Sequence, residues 1–173
     1  MQVVWGRHGS SRVERKDYVM EGKDLLEFFD KALFISNLKA KTKEKSFNEL
    51  AKLFIKTKFI RKKDIVLEML LKREKLGSTG IGKGVAIPHG RTTAAVDVKI
   101  AFGKSEEGID FNSVDKKPVH LVFMVIAPTE DEDNVYLSVL GKLVEIVNDR
   151  KNRNKLLKSQ TYEEFISVFD GAN

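Results

Sequence analysis

The sequence predicts one α/β domain in which helices pack on a small mixed sheet. Three observations lead there. Residues 23–76 carry apolar side chains at helical spacing. Residues 84–127 hold short runs rich in Val, Ile and Phe, bounded by Gly and Pro, that read as strands. Residues 134–170 return to helical spacing. The 173 residues suffice for one domain with a sizeable core, and no repeat or low-complexity linker divides them.

Taken in order, residues 1–20 (MQVVWGRHGSSRVERKDYVM) show no period and read as a flexible leader, from vector sequence or an early start. The domain is set at 21–173. KDLLEFFDKAL, with apolar residues at 25, 26, 28, 29, 32 and 33, predicts a short amphipathic helix. FISNL reads as a brief strand. Ser46 followed by Glu49 has capping-box spacing and could open the helix FNELAKLFIKTKF; a start one turn earlier is the other reading. KKDIVLEMLLKREKL is a second helix, with Asp64 either capping it or favouring its positive end. GVAIP, VDVKIAFG and VHLVFMVIA follow as strands, the last apolar enough to be buried on both faces. NVYLSVLGKLVEIVND is a helix, and short helices near 150–158 and 161–170 close the chain. Thr161 with Glu164 is a further capping pair.

Composition narrows the function. Hydrophobic residues are 42% and charged residues 32%, ordinary for a soluble globular protein. The absence of cysteine removes disulfides, thiol catalysis and thiolate metal sites. No apolar run approaches the ~18 residues a membrane span needs, so the protein reads as soluble and cytoplasmic. Residues 1–75 carry 19 Lys and Arg against 11 Asp and Glu. Lys39, Lys41, Lys43, Lys45, Arg61, Lys62 and Lys63 could form a nucleic-acid surface, but solvated helix faces are the preferred reading.

The stretch GSTGIGKGVAIPHG, Gly77–Gly90, raises the main question. Gly77, Gly82 and Lys83 fit the start of a P-loop, but Gly84 stands where a Ser or Thr would hold Mg²⁺. The flanks are also reversed, with a helix before and a strand after. A dinucleotide-binding loop fails on the same ground. On spacing alone the glycines read equally as a tight helix-to-strand connection or as a nest of N–H groups for one anion.

His89 follows Pro88 and precedes Gly90 at the end of this loop. An imidazole with pKa about 6.5 has a free ring nitrogen near neutrality and can act as a nucleophile. Arg73, Ser78, Thr79 and Arg91 are candidate donors to a phosphoryl group there. No spacing suggests a metal site: His8 is in the leader and His120 within a strand.

LLKREKLGSTGIGKGVAIPHGR resembles the signature of the mannitol/fructose-type enzyme IIA domains of the bacterial phosphoenolpyruvate-dependent phosphotransferase system, and is most similar to the nitrogen-regulatory enzyme IIA. The match runs through Arg73-Glu74, Gly77-Ser78-Thr79-Gly80-Ile81-Gly82 and Ala86-Ile87-Pro88-His89, with weaker likeness over about 24–169. The resemblance implies a three-layer α/β/α fold and a phosphoryl carrier without metal or nucleotide cofactor. It implies His89 as acceptor from the phosphohistidine of the phosphocarrier protein, Arg73 as a charge neutraliser, and Ser78 and Thr79 as members of the pocket. It further implies a regulatory protein, a sugar-specific component passing phosphate to a IIB partner, or a degenerate member acting only by binding.

One departure bears on that choice. Members of the family usually have a second histidine in a pattern like Ala-Pro…His-Leu-x-x-Leu. Here APTEDEDNVYLSVL puts Tyr136 in that slot, ahead of Leu137 and Leu140. A tyrosine hydroxyl donates a hydrogen bond but carries no positive charge. The substitution leaves acceptance at His89 intact, puts onward transfer in question, and favours regulation over sugar transport. The competing reading is a core or surface tyrosine, with the match shifted by one turn.

Overall fold

The computed structural model describes residues 19–172, and the leader's His8 and Trp5 lie outside them. The central element is strand β6 (Val119–Ala127), in which every residue but His120 is buried. On one side β6 pairs antiparallel with β5 (Lys99–Ile109), which pairs in turn with the parallel β1 (Phe34–Ile35). On the other side it pairs with two parallel strands end to end, β3 (Val85–Ala86) and β4 (His89–Arg91). An outer strand, β2 (Gly80–Gly82), joins β3 antiparallel. The order is β1-β5-β6-β3-β2, with β4 beside β6.

Helices cover both faces. α1 (Lys43–Lys56) and α2 (Lys63–Lys75) supply Phe47, Leu50, Phe54, Val66 and Leu70 to a core with Val122, Met124 and Ile126 of β6. α3 (Val135–Asn148), α4 (Arg150–Lys158) and α5 (Tyr162–Asp170) supply Val139, Leu143, Leu156, Phe165 and Phe169 to a core with Leu121, Phe123, Val125 and Ala127. Alternation along β6 sends successive side chains into opposite cores. The result is the α/β/α layering that the resemblance implied.

The helix expected over 23–33 is instead two 3-10 segments, Gly22–Phe28 and Lys31–Leu33. The break exposes a reason. Phe29 is extended and packs edge-on against Phe165, at 5.0 Å between ring centroids, and against Phe169 at 4.7 Å. Asp30 then caps the second segment through Ala32 N–H. Met20, in the expected leader, is buried in the same core.

α1 opens one turn before the Ser46–Glu49 pair. Thr42 caps it by accepting from Lys45 N–H, Ser46 donates to Lys43 O, and the Glu49 carboxylate accepts from Lys39 and Ala40 N–H. Asp64 lies in the first turn of α2 and does not cap it. At α5 the Thr161 side chain does cap, while Glu164 reaches back to Gln160 N–H. Among the described residues no helix is long and apolar enough to cross a membrane.

Candidate active site

The glycine stretch is not a loop but a β-hairpin followed by a broken strand. Lys83 (φ 58°) and Gly84 (φ 77°) make a left-handed two-residue turn between β2 and β3. Ile87-Pro88 then interrupts the ladder between β3 and β4, because Pro88 has no N–H to donate. Pro88 O still accepts from Val125 N–H, and Ile87 N–H is spent on Thr79 O. His89 therefore opens a strand instead of ending a loop.

The register fixes what His89 faces. His89 lies level with Val125, Gly90 with Ile126 and Arg91 with Ala127. Val125 and Ala127 belong to the α3-side core, so His89 and Arg91 share that face. Gly90 faces α2, where a Cβ would lie 2.7 Å from Met69 Cγ and Sδ. Glycine here lets α2, which carries Arg73, sit close behind His89.

The imidazole is oriented by one hydrogen bond. His89 Nδ1 is 2.6 Å from Ile87 O. A carbonyl only accepts, so Nδ1 carries the proton and Nε2 keeps its lone pair. Burial of the ring holds the His89 pKa below its ordinary value; the Ile87 bond works against this, Arg73 works with it, and Glu74 opposes it. The ring is thus neutral and nucleophilic at Nε2 near pH 7.

This arrangement has a pH signature. The folded pKa lies below the unfolded one, so the unfolded chain binds the extra proton first. The neutral-ring contribution to stability is complete above the usual histidine pKa of about 6.5 and is lost as pH falls through the lower folded value. Any reaction in which the neutral His89 ring is the nucleophile should follow the same folded titration, with its acid-side midpoint below about 6.5. A rate–pH profile with an NMR titration of His89 tests this; a midpoint at or above the free-histidine value contradicts it.

Arg73 stands in the last turn of α2 and donates from Nη1 to Gly77 O at 2.8 Å. Its charge reaches His89 and Tyr136. The two hydroxyls expected beside it have other partners. Ser78 Oγ donates to Phe111 O at 2.6 Å and accepts from Gly80 N–H. Thr79 is buried, and both its Oγ1–H and its N–H donate to the Glu74 carboxylate. Glu74 is paired in turn with Lys43 of α1 at 3.0 Å, the two side chains 8% and 17% exposed. Ser78 and Thr79 thus brace the turn that positions Arg73.

Tyr136, in the first turn of α3, is 6% exposed, and its ring centroid is 6.2 Å from that of His89. Burial pushes its pKa up to about 12, although Arg91 and Arg73 pull it down. It is a neutral phenol at any working pH. Asp131 fixes this end of α3 by accepting from Val135 and Tyr136 N–H. The Arg91 guanidinium carbon lies 4.8 Å from the Tyr136 ring centroid.

The structure thus brings Arg73, His89 and Tyr136 together, with Ser78 and Thr79 behind them. The sequence assigns no part in this site to Glu74 or to Lys43, which it offered only as one cation of a basic surface. Glu74 lay inside the quoted motif, but nothing in the sequence joins it to Lys43, 31 residues away. Arg91 was one donor among four; a strand at 89–91 would have placed it on the face of His89. His120 stands toward the other end of β6, its Nδ1 2.8 Å from Ser105 O. Among the described residues no group of three or more His, Asp or Glu could hold a metal ion.

The family model "Phosphoenolpyruvate-dependent sugar phosphotransferase system, EIIA 2" matches residues 27–171. The chain is 34% identical over 146 residues to the fructose-specific EIIABC component of Bacillus subtilis, covering 84% of this chain and 23% of that protein. It is 39% identical over 103 residues to a nitrogen regulatory protein of Bradyrhizobium diazoefficiens, covering 60% of this chain and 67% of that one. The crystal structure of the nitrogen regulatory protein IIA-Ntr from Neisseria meningitidis superimposes with a TM-score of 0.76 at 32% identity, over 83% of this chain and 97% of that one.

Proposed function

Because the chain belongs to the phosphoenolpyruvate-dependent sugar phosphotransferase system EIIA 2 family, we propose that it is a phosphoryl carrier whose acceptor atom is Nε2 of His89. The observation that carries this is the Nδ1–H bond to Ile87 O, which leaves Nε2 as the free nucleophile of a neutral ring. The donor is the phosphohistidine of the phosphocarrier protein. The Nε2 lone pair forms the new N–P bond, and the old N–P electron pair returns to the donor imidazole. His89 keeps its Nδ1 proton, and the positive charge gained by the ring strengthens its bond to Ile87 O. Arg73 offsets part of the charge of the phosphoryl group. Such a transfer needs positioning and charge neutralisation more than acid–base work.

The preferred role is regulatory. Two observations support it: the likeness to nitrogen regulatory proteins, and Tyr136, a neutral side chain next to the acceptor. Phosphorylation adds about −1.5 to −2 charges to that surface, enough to change which proteins dock there. The second reading, a sugar-specific component that passes phosphate to a IIB partner, is favoured by the identity to the fructose-specific protein.

The test is incubation with phosphoenolpyruvate, enzyme I and the phosphocarrier protein. Acid-labile phosphate should appear on the wild type. Its absence with a cognate donor overturns the carrier reading and leaves a degenerate binding module. Rapid onward transfer to a IIB domain favours the sugar-specific role, and its absence the regulatory one.

A further inference from the structure

Resting on the carrier reading above, we propose that Arg91 is a second phosphoryl-binding residue, parked on the Tyr136 ring until the anion arrives. His89 and Arg91 are two residues apart on one strand, so their side chains leave the same face. Arg91 holds its guanidinium over Tyr136, and that ring lies beside His89. Arg73 approaches from the end of α2, which packs on the other side of the sheet, and its charge reaches His89. A phosphoryl group on Nε2 then meets one guanidinium from each layer.

What holds Arg91 is an aromatic face and not an anion. Among the described residues no carboxylate lies within 4 Å of Arg91, although six ion pairs occur elsewhere among those same residues. A neutral aromatic face holds a guanidinium without neutralising it. Such a contact is worth roughly 0.5–2 kcal/mol. A charge-assisted, two-pronged bond to phosphate oxygens is worth more than this and matches the planar fork of arginine. A dianion on His89 therefore draws Arg91 off the ring, whereas a carboxylate partner would have kept it. Tyr136 is in this account a positioning residue: it keeps the arm close and its charge intact.

The experiment compares Arg91→Gln, Arg91→Lys, Tyr136→Leu and Tyr136→Phe with the wild type in the phosphocarrier assay, each first shown to melt as a folded protein. Arg91→Gln should be labelled more slowly by on the order of tenfold or more. Arg91→Lys should recover part of the rate, since it restores charge but not the fork. Tyr136→Leu should be slowed, and Tyr136→Phe, which keeps the ring, should be faster than Tyr136→Leu. A ³¹P titration of the phosphoprotein gives a readout that packing alone would not move. Removing Arg91's charge should raise the second ionisation of the phosphoryl group, because a nearby cation favours the dianion. Wild-type rate and an unmoved titration in Arg91→Gln, with the wild type labelling normally, overturn the proposal. Failure of the wild type to label would instead overturn the carrier reading on which it rests.

Discussion

Replacing His89 by glutamine should abolish acid-labile phosphorylation while leaving the fold in place. The loss should be complete, because among the described residues the site offers no second nucleophile of this kind. His120 lies toward the other end of β6 with its own backbone partner, and Tyr136 is neutral, its pKa pushed up to about 12. The structural cost should be small. The His89 ring is only partly buried and makes one hydrogen bond, to Ile87 O, and a bond of that kind contributes about 1 kcal/mol. Glutamine keeps an N–H donor of similar reach. The measurement is labelling from phosphoenolpyruvate through the phosphocarrier, with a melting curve on the same sample. A labelled His89→Gln protein would remove His89 as the acceptor.

Glu74→Ala should be the most destabilising single change at the site. The carboxylate is 8% exposed and serves three donors: Lys43 Nζ at 3.0 Å, Thr79 N–H at 3.1 Å, and the Thr79 hydroxyl. Removing it strands a mostly buried ammonium and two buried donors at once. Breaking one side of such a pair costs about 3–5 kcal/mol. In a chain of this size, Tm falls by roughly 2–4 °C for each kcal/mol. The effect should reach function, because Glu74 fixes Thr79, and Thr79 ends the turn whose Gly77 O receives Arg73. Slower phosphoryl uptake should therefore accompany the lower Tm. Adding Lys43→Met should return part of the stability, since the charge left behind is then gone. A Glu74→Ala protein within about 0.5 kcal/mol of wild type would show that this network is not what holds the turn.

Much of this was legible in the sequence because it was local. The apolar run Val119–Ala127 implied a strand buried on both faces, as found. The spacing in α2 and α3 implied helices, as found, and the motif around Ile87-Pro88-His89 singled out an imidazole that the structure sets beside Tyr136 and within reach of the Arg73 charge. What escaped the sequence depends on contacts between distant segments. Phe29 breaks a helical pattern because Phe165 and Phe169 receive it from α5. Ser78 and Thr79 looked like donors to an anion, but Phe111 and Glu74 take up their hydroxyls. Glu49 had the spacing of a cap and instead binds the segment before its own helix. The P-loop likeness through Lys83 fails for a related reason: the glycines there close a hairpin between β2 and β3.

The most direct test of the account is which nitrogen of His89 carries the phosphoryl group. Uniformly ¹⁵N-labelled protein, phosphorylated through the phosphocarrier and followed by long-range ¹H–¹⁵N correlation of the imidazole, reads this out. The predicted result is phosphorus on Nε2, with Nδ1 still protonated and bonded to Ile87 O. Phosphorus on Nδ1, or a His89 ring unchanged while another residue is modified, would contradict it.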